Sequence, residues 1–145
     1  MGIAFVFGLA GLLEALPVEP MTKPLRQWAG AYGAVAEKGE EVVRTDKAWR
    51  AAWEKAHAAQ SDQPKRPDVD FDKHMVLAVY AGSKSTGGYS IEVTRVALRG
   101  NTLVADVTRK EPGPLEPAAT VITRPYAFAV VPKAEKVRFR DRAAK

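Results

Sequence analysis

The stretch of residues 75–81 is continuously apolar, and it constrains the fold more than any other feature of the sequence. A strand with one face in solvent alternates apolar and polar residues, because successive side chains point to opposite faces. A run without this alternation is typical of a strand that is buried on both faces. We therefore expect residues 75–81 to form a central strand of the core.

Two neighbouring segments predict a hairpin that contains a β-bulge. Residues 89–93 alternate apolar and polar, but the next apolar pair, Val96 and Leu98, is one step out of phase. A β-bulge near Arg95 would correct this slip. Gly100-Asn101 then predicts a tight turn. Further strands are expected at residues 102–109, 126–130, 41–44 and 137–140.

One helix is predicted after the short strand at residues 41–44. Thr45 or Asp46 can cap its start, and the helix should continue to about Gln60. Pro64 and Pro67 then end it in a surface segment. Its apolar residues recur at the three- and four-residue spacing of one helical face: Trp49, Ala52, Trp53 and Ala56.

The length of 145 residues and the 46% hydrophobic content suit one soluble domain. One helix among about six mostly antiparallel strands indicates the α+β class. We expect a bent, mainly antiparallel sheet or half-barrel with the helix across it. We assign the domain to residues 25–145 and treat residues 1–24 as a separate N-terminal segment.

Residues 1–13 carry no charge, and their apolar run is too short to span a bilayer. The run has the length of the apolar part of a signal peptide, yet the first basic residue anywhere is Lys23. A cleaved signal segment and a retained apolar arm both fit this pattern. Pro17, Pro20 and Pro24 then indicate a stiff connector without helix, and we expect no stable membrane span.

The sequence offers no clear nucleophile and no clear metal site. The chain has no cysteine and only two histidines, His57 and His74, neither of which has an obvious nucleophilic partner. Asp68, Asp70 and Asp72 have part of the spacing of a calcium loop, but the loop's glycine and final glutamate are missing. We therefore expect no catalytic residues, no metal and no cofactor.

The excess positive charge lies at the C-terminal end. The net charge is +5, and six basic residues follow from Lys133 onward. Apolar and basic residues alternate over 137–140, which is typical of an edge strand protected by its charges. No aromatic platform accompanies these charges, so we do not expect a nucleic-acid partner.

The loop over residues 82–89 is the strongest candidate for recognition. It joins two predicted strands through small polar residues, and it is longer than hairpin closure requires. Flexible loops on a rigid sheet often carry binding residues. Gly87 and Gly88 would also allow a close approach by another chain. A wide turn without function is the alternative.

Over residues 41–139 the chain resembles the PrcB-like domain of bacterial protease-complex subunits. The shared features occur in a common order. They are Val42-Val43-Arg44, the helix with Trp49 and Trp53, Val69-Asp70-Phe71, the strand Met75-Val76-Leu77-Ala78-Val79, Gly82 with Thr86-Gly87-Gly88-Tyr89, residues 104–107, Pro112, and residues 123–131 with Pro125-Tyr126. The resemblance implies a non-catalytic accessory domain that stabilises a secreted or surface-attached serine protease. It also implies an extracytoplasmic location, whether secreted, periplasmic or in the envelope.

A looser resemblance comes from the chagasin-type inhibitors of cysteine proteases. Ser85-Thr86-Gly87-Gly88-Tyr89 and Arg124-Pro125-Tyr126 are similar to their first and last binding loops. The middle loop of those inhibitors is represented only by Glu111-Pro112-Gly113-Pro114. A protease inhibitor is therefore the alternative function.

Both resemblances include the same loops, which we expect to bind a protein partner, either a protease or another envelope protein. The oligomeric state stays open. The candidate contact residues are Ser83, Lys84, Ser85, Thr86, Gly87, Gly88, Pro112, Arg124, Pro125 and Tyr126.

Overall fold

The structure is a computed structural model that describes residues 20–143. The apolar run of the N-terminal segment, residues 3–13, lies outside the described residues. Residues 20–143 contain one helix, α1 (Asp46–Ala56), and seven strands. The strands are β1 (Arg26–Gly30), β2 (Gly39–Val43), β3 (His74–Tyr80), β4 (Ser90–Arg99), β5 (Thr102–Lys110), β6 (Tyr126–Pro132) and β7 (Lys136–Ala143).

The strands form two open sheets. The large sheet has the order β1-β6-β3-β2, and every neighbouring pair in it is antiparallel. The small sheet has the order β4-β5-β7, with β4 antiparallel and β7 parallel to β5. The α+β class with mainly antiparallel strands is therefore confirmed.

Strand β3 lies in the middle of three layers, which explains its unbroken apolar sequence. Its odd-numbered residues Met75, Leu77 and Val79 pack against the small sheet. Its even-numbered residues Val76, Ala78 and Tyr80 pack against the side that carries α1. Because both faces are buried, the positions from Met75 to Val79 favour apolar side chains.

Helix α1 covers the outer face of the large sheet with the apolar stripe that the sequence predicted. Thr45 is the N-cap, and its hydroxyl accepts a hydrogen bond of 3.1 Å from the backbone N–H of Ala48. The helix ends at Ala56, earlier than the predicted Gln60. Trp49 and Trp53 donate their indole N–H groups to the carbonyls of Pro67 and Pro64, both at 2.9 Å. These bonds fasten the proline segment beside the helix.

The predicted bulge and turn in the small sheet are confirmed. The register between β4 and β5 shifts between Val93 and Arg95. Next to this bulge, the side-chain amide of Gln27 donates to the carbonyl of Val93 at 2.9 Å and accepts from its N–H at 2.7 Å. One side chain of β1 thus occupies the open edge of β4. Gly100 has a φ of 66° in the two-residue turn.

Sequence analysis predicted a proline-containing connector and no strand after it, and therefore missed strand β1. Its five residues pair with β6 from Arg26 opposite Val130 to Gly30 opposite Tyr126. Thr22 also forms an isolated bridge with Val96. The N–H of Leu25 donates to the carbonyl of Val130 in β6 at 2.9 Å, so the chain is held to both sheets before β1 begins.

Candidate functional site

Three loops meet at one end of the two sheets, which we call the loop end: residues 31–38, 81–89 and 111–125. Strand pairing places them together, because Gly30 lies opposite Tyr126, Tyr126 opposite Tyr80, and Tyr80 opposite Gly39. Every loop that leaves this row of residues therefore projects in the same direction. The predicted recognition loop is the middle one.

Backbone hydrogen bonds hold loop 81–89 against loop 111–125. Lys84 and Thr123 exchange two bonds, of 2.8 and 2.9 Å, and the N–H of Gly87 donates to the carbonyl of Ala119 at 2.9 Å. The buried hydroxyl of Thr123 also donates to the carbonyl of Thr86 at 2.8 Å. Because the backbone makes these contacts, the side chains of Lys84, Ser85 and Thr86 are not needed for them.

Gly88 of loop 81–89 packs closely on Pro112 of loop 111–125. Its φ of 87° favours glycine, and a Cβ at this position would lie 2.8 Å from the Cβ of Pro112. Both the backbone conformation and the contact therefore require glycine here. The two predicted site residues Gly88 and Pro112 are thus neighbours in space.

Arg124 joins all three loops. Its Nε donates to the hydroxyl of Ser83 at 3.0 Å, and its backbone N–H donates to the carbonyl of Ala31 at 2.8 Å. Its own carbonyl accepts the N–H of Gly33 at 3.2 Å. Arg124 therefore lies at the junction of the predicted surface, with its side chain directed to loop 81–89.

Tyr126 lies inside the domain instead of on this surface. It is 8% exposed, and Gly30 and Gly33 pack so closely on its side chain that a Cβ on either would approach it within 2.8 Å. Pro125 is also buried. These two predicted contact residues support the loop end from beneath.

The other predicted contact residues reach the surface to different degrees. Ser83, Ser85 and Gly88 are exposed, and the remaining ones are half-buried: Lys84, Thr86, Gly87, Pro112 and Arg124. The structure thus brings the three predicted segments together at one end.

Exposed apolar side chains at the loop end were missed by sequence analysis. Five large apolar side chains are exposed within residues 20–143, and four of them lie in loops 31–38 and 111–125. These four are Tyr32 (63% exposed), Leu115 (95%), Val121 (39%) and Ile122 (65%). The adjacent pair Val121-Ile122 could have been found, because it follows a proline-rich segment without any alternation that would make it a strand. Grouped exposed apolar side chains often mark a protein interface.

The two histidines, His57 and His74, lie in the helix–sheet core and at the start of a strand. His57 is 2% exposed, and its two ring nitrogens contact the carbonyl of Trp53 and the hydroxyl of Tyr126. His74 begins β3 at the opposite end of that strand from the loop end. Within residues 20–143, no three potential metal-ligating side chains lie close enough together to hold an ion.

A search for membrane-spanning helices over the described part of the chain finds none of sufficient length and apolarity.

Comparison with known protein families gives a match to the family described as PrcB C-terminal, over residues 75–132. The predicted resemblance is confirmed for this region. The PrcB C-terminal region begins with the second residue of β3 and ends with the last residue of β6, so it includes loops 81–89 and 111–125. Loop 31–38 and helix α1 lie outside it. No curated protein and no solved structure matches the chain significantly.

Proposed function

We propose that this chain is a non-catalytic protein-binding module that attaches to a protease through the loop end. The single observation that carries the proposal is that four of the five exposed large apolar side chains of residues 20–143 belong to loops of the loop end: Tyr32, Leu115, Val121 and Ile122. Burying apolar area is the main favourable contribution to most protein association. The PrcB C-terminal match favours a protease as the partner, because the family takes its name from a protease-complex subunit.

The backbone contacts within the loop end also support a binding role. An interface that is already ordered loses less conformational entropy when the partner binds. The bridge between Lys84 and Thr123 and the contact between Gly88 and Pro112 supply this order. Small polar side chains around the apolar residues would form the rim that typical interfaces show.

Site-specific photo-cross-linking tests the proposal directly. A photoreactive phenylalanine analogue at Ile122 should form an adduct with a peptidase in cells of the source organism. The same analogue at Leu25 is the matched control, because Leu25 is similarly exposed, at 58%, but lies near the opposite end of the sheets. Equal adducts from both positions, or none from Ile122, would contradict the proposal.

Two modes of action differ in what they do to the protease. A stabilising subunit extends the lifetime of peptidase activity and leaves the initial rate unchanged. A chagasin-like inhibitor lowers the initial rate. The meeting of loops 81–89 and 111–125 with the turn at Arg124 keeps the inhibitor as a second candidate. The peptidase that cross-linking identifies is assayed with and without this protein, and its initial rate and the half-life of its activity distinguish the two modes.

The proposal also includes a location outside the cytoplasm, which the family resemblance and the uncharged residues 1–13 support. Fractionation of the source cells tests it. The chain should be found in the secreted, periplasmic or envelope fraction.

A further inference from the structure

A cleft with an excess of positive charge lies beside the loop end, and we call it the cationic cleft. It has a volume of about 540 Å³ and continues into a smaller pocket of about 140 Å³ beneath loop 81–89. Five basic side chains and two carboxylates line it: Lys38, Lys84, Arg109, Lys110 and Arg142, with Glu111 and Asp141. The surplus of cations would attract and hold an anionic group.

Arg109 reaches the cleft because it continues the inward-facing side of β5. Leu103, Ala105 and Val107 alternate on that side and pack in the core between the sheets. The next residue in phase is Arg109, which lies where the core opens to the cleft. Burying an arginine at a core-facing position costs free energy unless hydrogen-bond acceptors pair with its N–H groups.

The guanidinium of Arg109 is only partly satisfied. Its Nε donates to a carboxylate oxygen of Asp141 at 3.1 Å. Its Nη2 is shielded from solvent and has no hydrogen-bond partner among residues 20–143. The Arg109 side chain is 21% exposed, so a carboxylate in the cleft could approach that exposed part and interact with the positive charge that is delocalised over the guanidinium.

The neighbouring side chains favour a carboxylate on a protein over a nucleic acid. Tyr89 is the aromatic residue that lines the pocket, and the ammonium of Lys84 lies 5.3 Å from the centre of its ring. One face of this half-buried ring is therefore occupied by Lys84, which makes it a poor platform for a base. Lys84 also pairs with Thr123, the residue after the exposed Ile122. A partner that covers Ile122 thus comes within reach of the cleft.

We infer that the cationic cleft binds a carboxylate of the protein partner whose apolar side chains cover Ile122 and Tyr32. The carboxylate can come from an Asp or Glu side chain or from the end of the partner chain. The inference rests on the proposed function and makes it more specific, because the partner must carry a carboxylate close to the apolar side chains that contact the loop end.

Peptides selected against the purified protein test this inference. Random peptides are displayed with free C-termini, and the tightest binder is synthesised with a free acid, with a C-terminal amide, and with each acidic residue replaced by its amide. Removal of one carboxylate should weaken binding about tenfold, the scale of one charge-assisted hydrogen bond. The form that loses affinity identifies the source of the carboxylate. A selected peptide that binds equally well without any carboxylate overturns the inference.

Three variants locate the binding, and two of them, Lys38→Gln and Arg138→Gln, remove the same charge. Lys38→Gln removes an exposed cation from the cleft and should weaken the peptide about 3- to 10-fold. Asp141→Asn removes the competing carboxylate and should strengthen binding. Arg138→Gln is the control, because Arg138 is an exposed cation on β7 that does not line the cleft. Equal weakening by Lys38→Gln and Arg138→Gln would indicate general charge attraction and overturn the inference.

Ile122→Ser separates this inference from the proposed function. If Ile122→Ser abolishes binding and Lys38→Gln does not, the loop end binds the peptide without the cleft, and only the carboxylate inference fails. If neither variant weakens binding, both the inference and the proposed function fail. Thermal melting of each variant verifies that the fold is retained.

Discussion

The hydroxyl of Tyr126 donates a hydrogen bond of 3.0 Å to Nε2 of His57, between the large sheet and α1. The other ring nitrogen, Nδ1, lies 2.8 Å from the carbonyl of Trp53. A carbonyl only accepts, so in the neutral imidazole Nδ1 carries the proton and Nε2 is the acceptor for Tyr126. Burial raises the pKa of Tyr126, which keeps its hydroxyl protonated. This chain of bonds connects the end of loop 111–125 to the helix.

Tyr126→Phe should destabilise the domain by about 1 to 3 kcal/mol, because it leaves the Nε2 of His57 buried without a donor. Urea unfolding followed by tryptophan fluorescence measures the change. Tyr32→Phe is the control, since Tyr32 is 63% exposed and should unfold at the wild-type midpoint. Equal midpoints for Tyr126→Phe and the wild-type protein would show that the bond contributes nothing.

Asp106 should make the domain sensitive to acid. It accepts two hydrogen bonds from Arg140, of 2.6 and 3.1 Å. These bonds lower the pKa of Asp106, and the positive charges of Arg140, Arg142 and Arg95 lower it further. The folded state therefore binds a proton less readily than the unfolded state, whose aspartate has a pKa of about 3.9. The stabilisation is present above that pH and is lost as the pH falls through the lowered pKa.

Asp106→Asn should unfold more easily than the wild-type protein at about pH 7, and the difference should shrink as the pH approaches about 3. Urea midpoints across this range measure it. Asp62→Asn, at an exposed position, should follow the wild-type curve throughout. A constant difference between Asp106→Asn and wild type at every pH would exclude the titration of Asp106 as the cause.

Trp53→Ala should cost about 3 to 5 kcal/mol through lost burial and the cavity left behind. The side chain is 6% exposed and packs against Phe128 and His57, with ring centroids 5.8 and 4.2 Å away. Trp53→Phe retains much of the apolar volume and should lose less. Denaturant unfolding followed by circular dichroism compares the two. Similar losses for both would assign the effect to the hydrogen bond with Pro64 instead of to packing.

Local patterns predicted the elements that depend on local physics. The apolar run of β3, the phase change at Arg95 and the cap at Thr45 each depend on side chains within a few residues. The pairing of strands depends on contacts between distant segments. The parallel pairing of β7 with β5, for example, left no trace in either strand alone. Its basic alternation indicated an edge strand, and β7 is one.

Strand β1 and the apolar side chains of the loop end escaped prediction for related reasons. The five residues of β1 form a strand because β6 lies beside them, and among them only Trp28 packs against a core cluster. Tyr32 is a single apolar residue in its loop and Val121-Ile122 is only a short pair, and isolated exposed apolar residues usually have no special role. These residues come to the same end of the sheets only because strand pairing places loops 31–38 and 111–125 there. The candidate site is therefore a consequence of topology.

Gly88→Ala should destabilise the domain more than Gly100→Ala does. Both glycines have positive φ, 87° and 66°, so alanine is strained at each by about 1 to 2 kcal/mol. A Cβ at Gly100 meets nothing within 4 Å, whereas one at Gly88 would lie 2.8 Å from the Cβ of Pro112. The additional loss at Gly88 should be about 1 to 3 kcal/mol. Equal losses in thermal or denaturant unfolding would show that Pro112 moves aside freely.

Thr123→Val should loosen loop 81–89, although it changes no exposed side chain of that loop. Thr123 is 1% exposed, and valine has its shape but lacks the hydroxyl that donates to the carbonyl of Thr86. The expected cost is about 1 kcal/mol, with faster hydrogen exchange of the amides of residues 84–88.

The triple variant Lys84→Ala, Ser85→Ala and Thr86→Ala changes the side chains of the loop itself, whereas Thr123→Val removes a contact that holds the loop. It keeps every backbone bond between the loops and should shift the free energy of unfolding by less than about 1 kcal/mol, as substitutions near the surface usually do. If the loop serves recognition, the triple variant should lose most of its affinity for the cross-linked partner, and Thr123→Val should lose less. An unfolded triple variant would instead make these side chains structural, because the backbone bridge with Thr123 would then be insufficient to hold the loop. Normal binding by a folded triple variant would move recognition to Arg124 and to the apolar side chains of Tyr32 and Ile122.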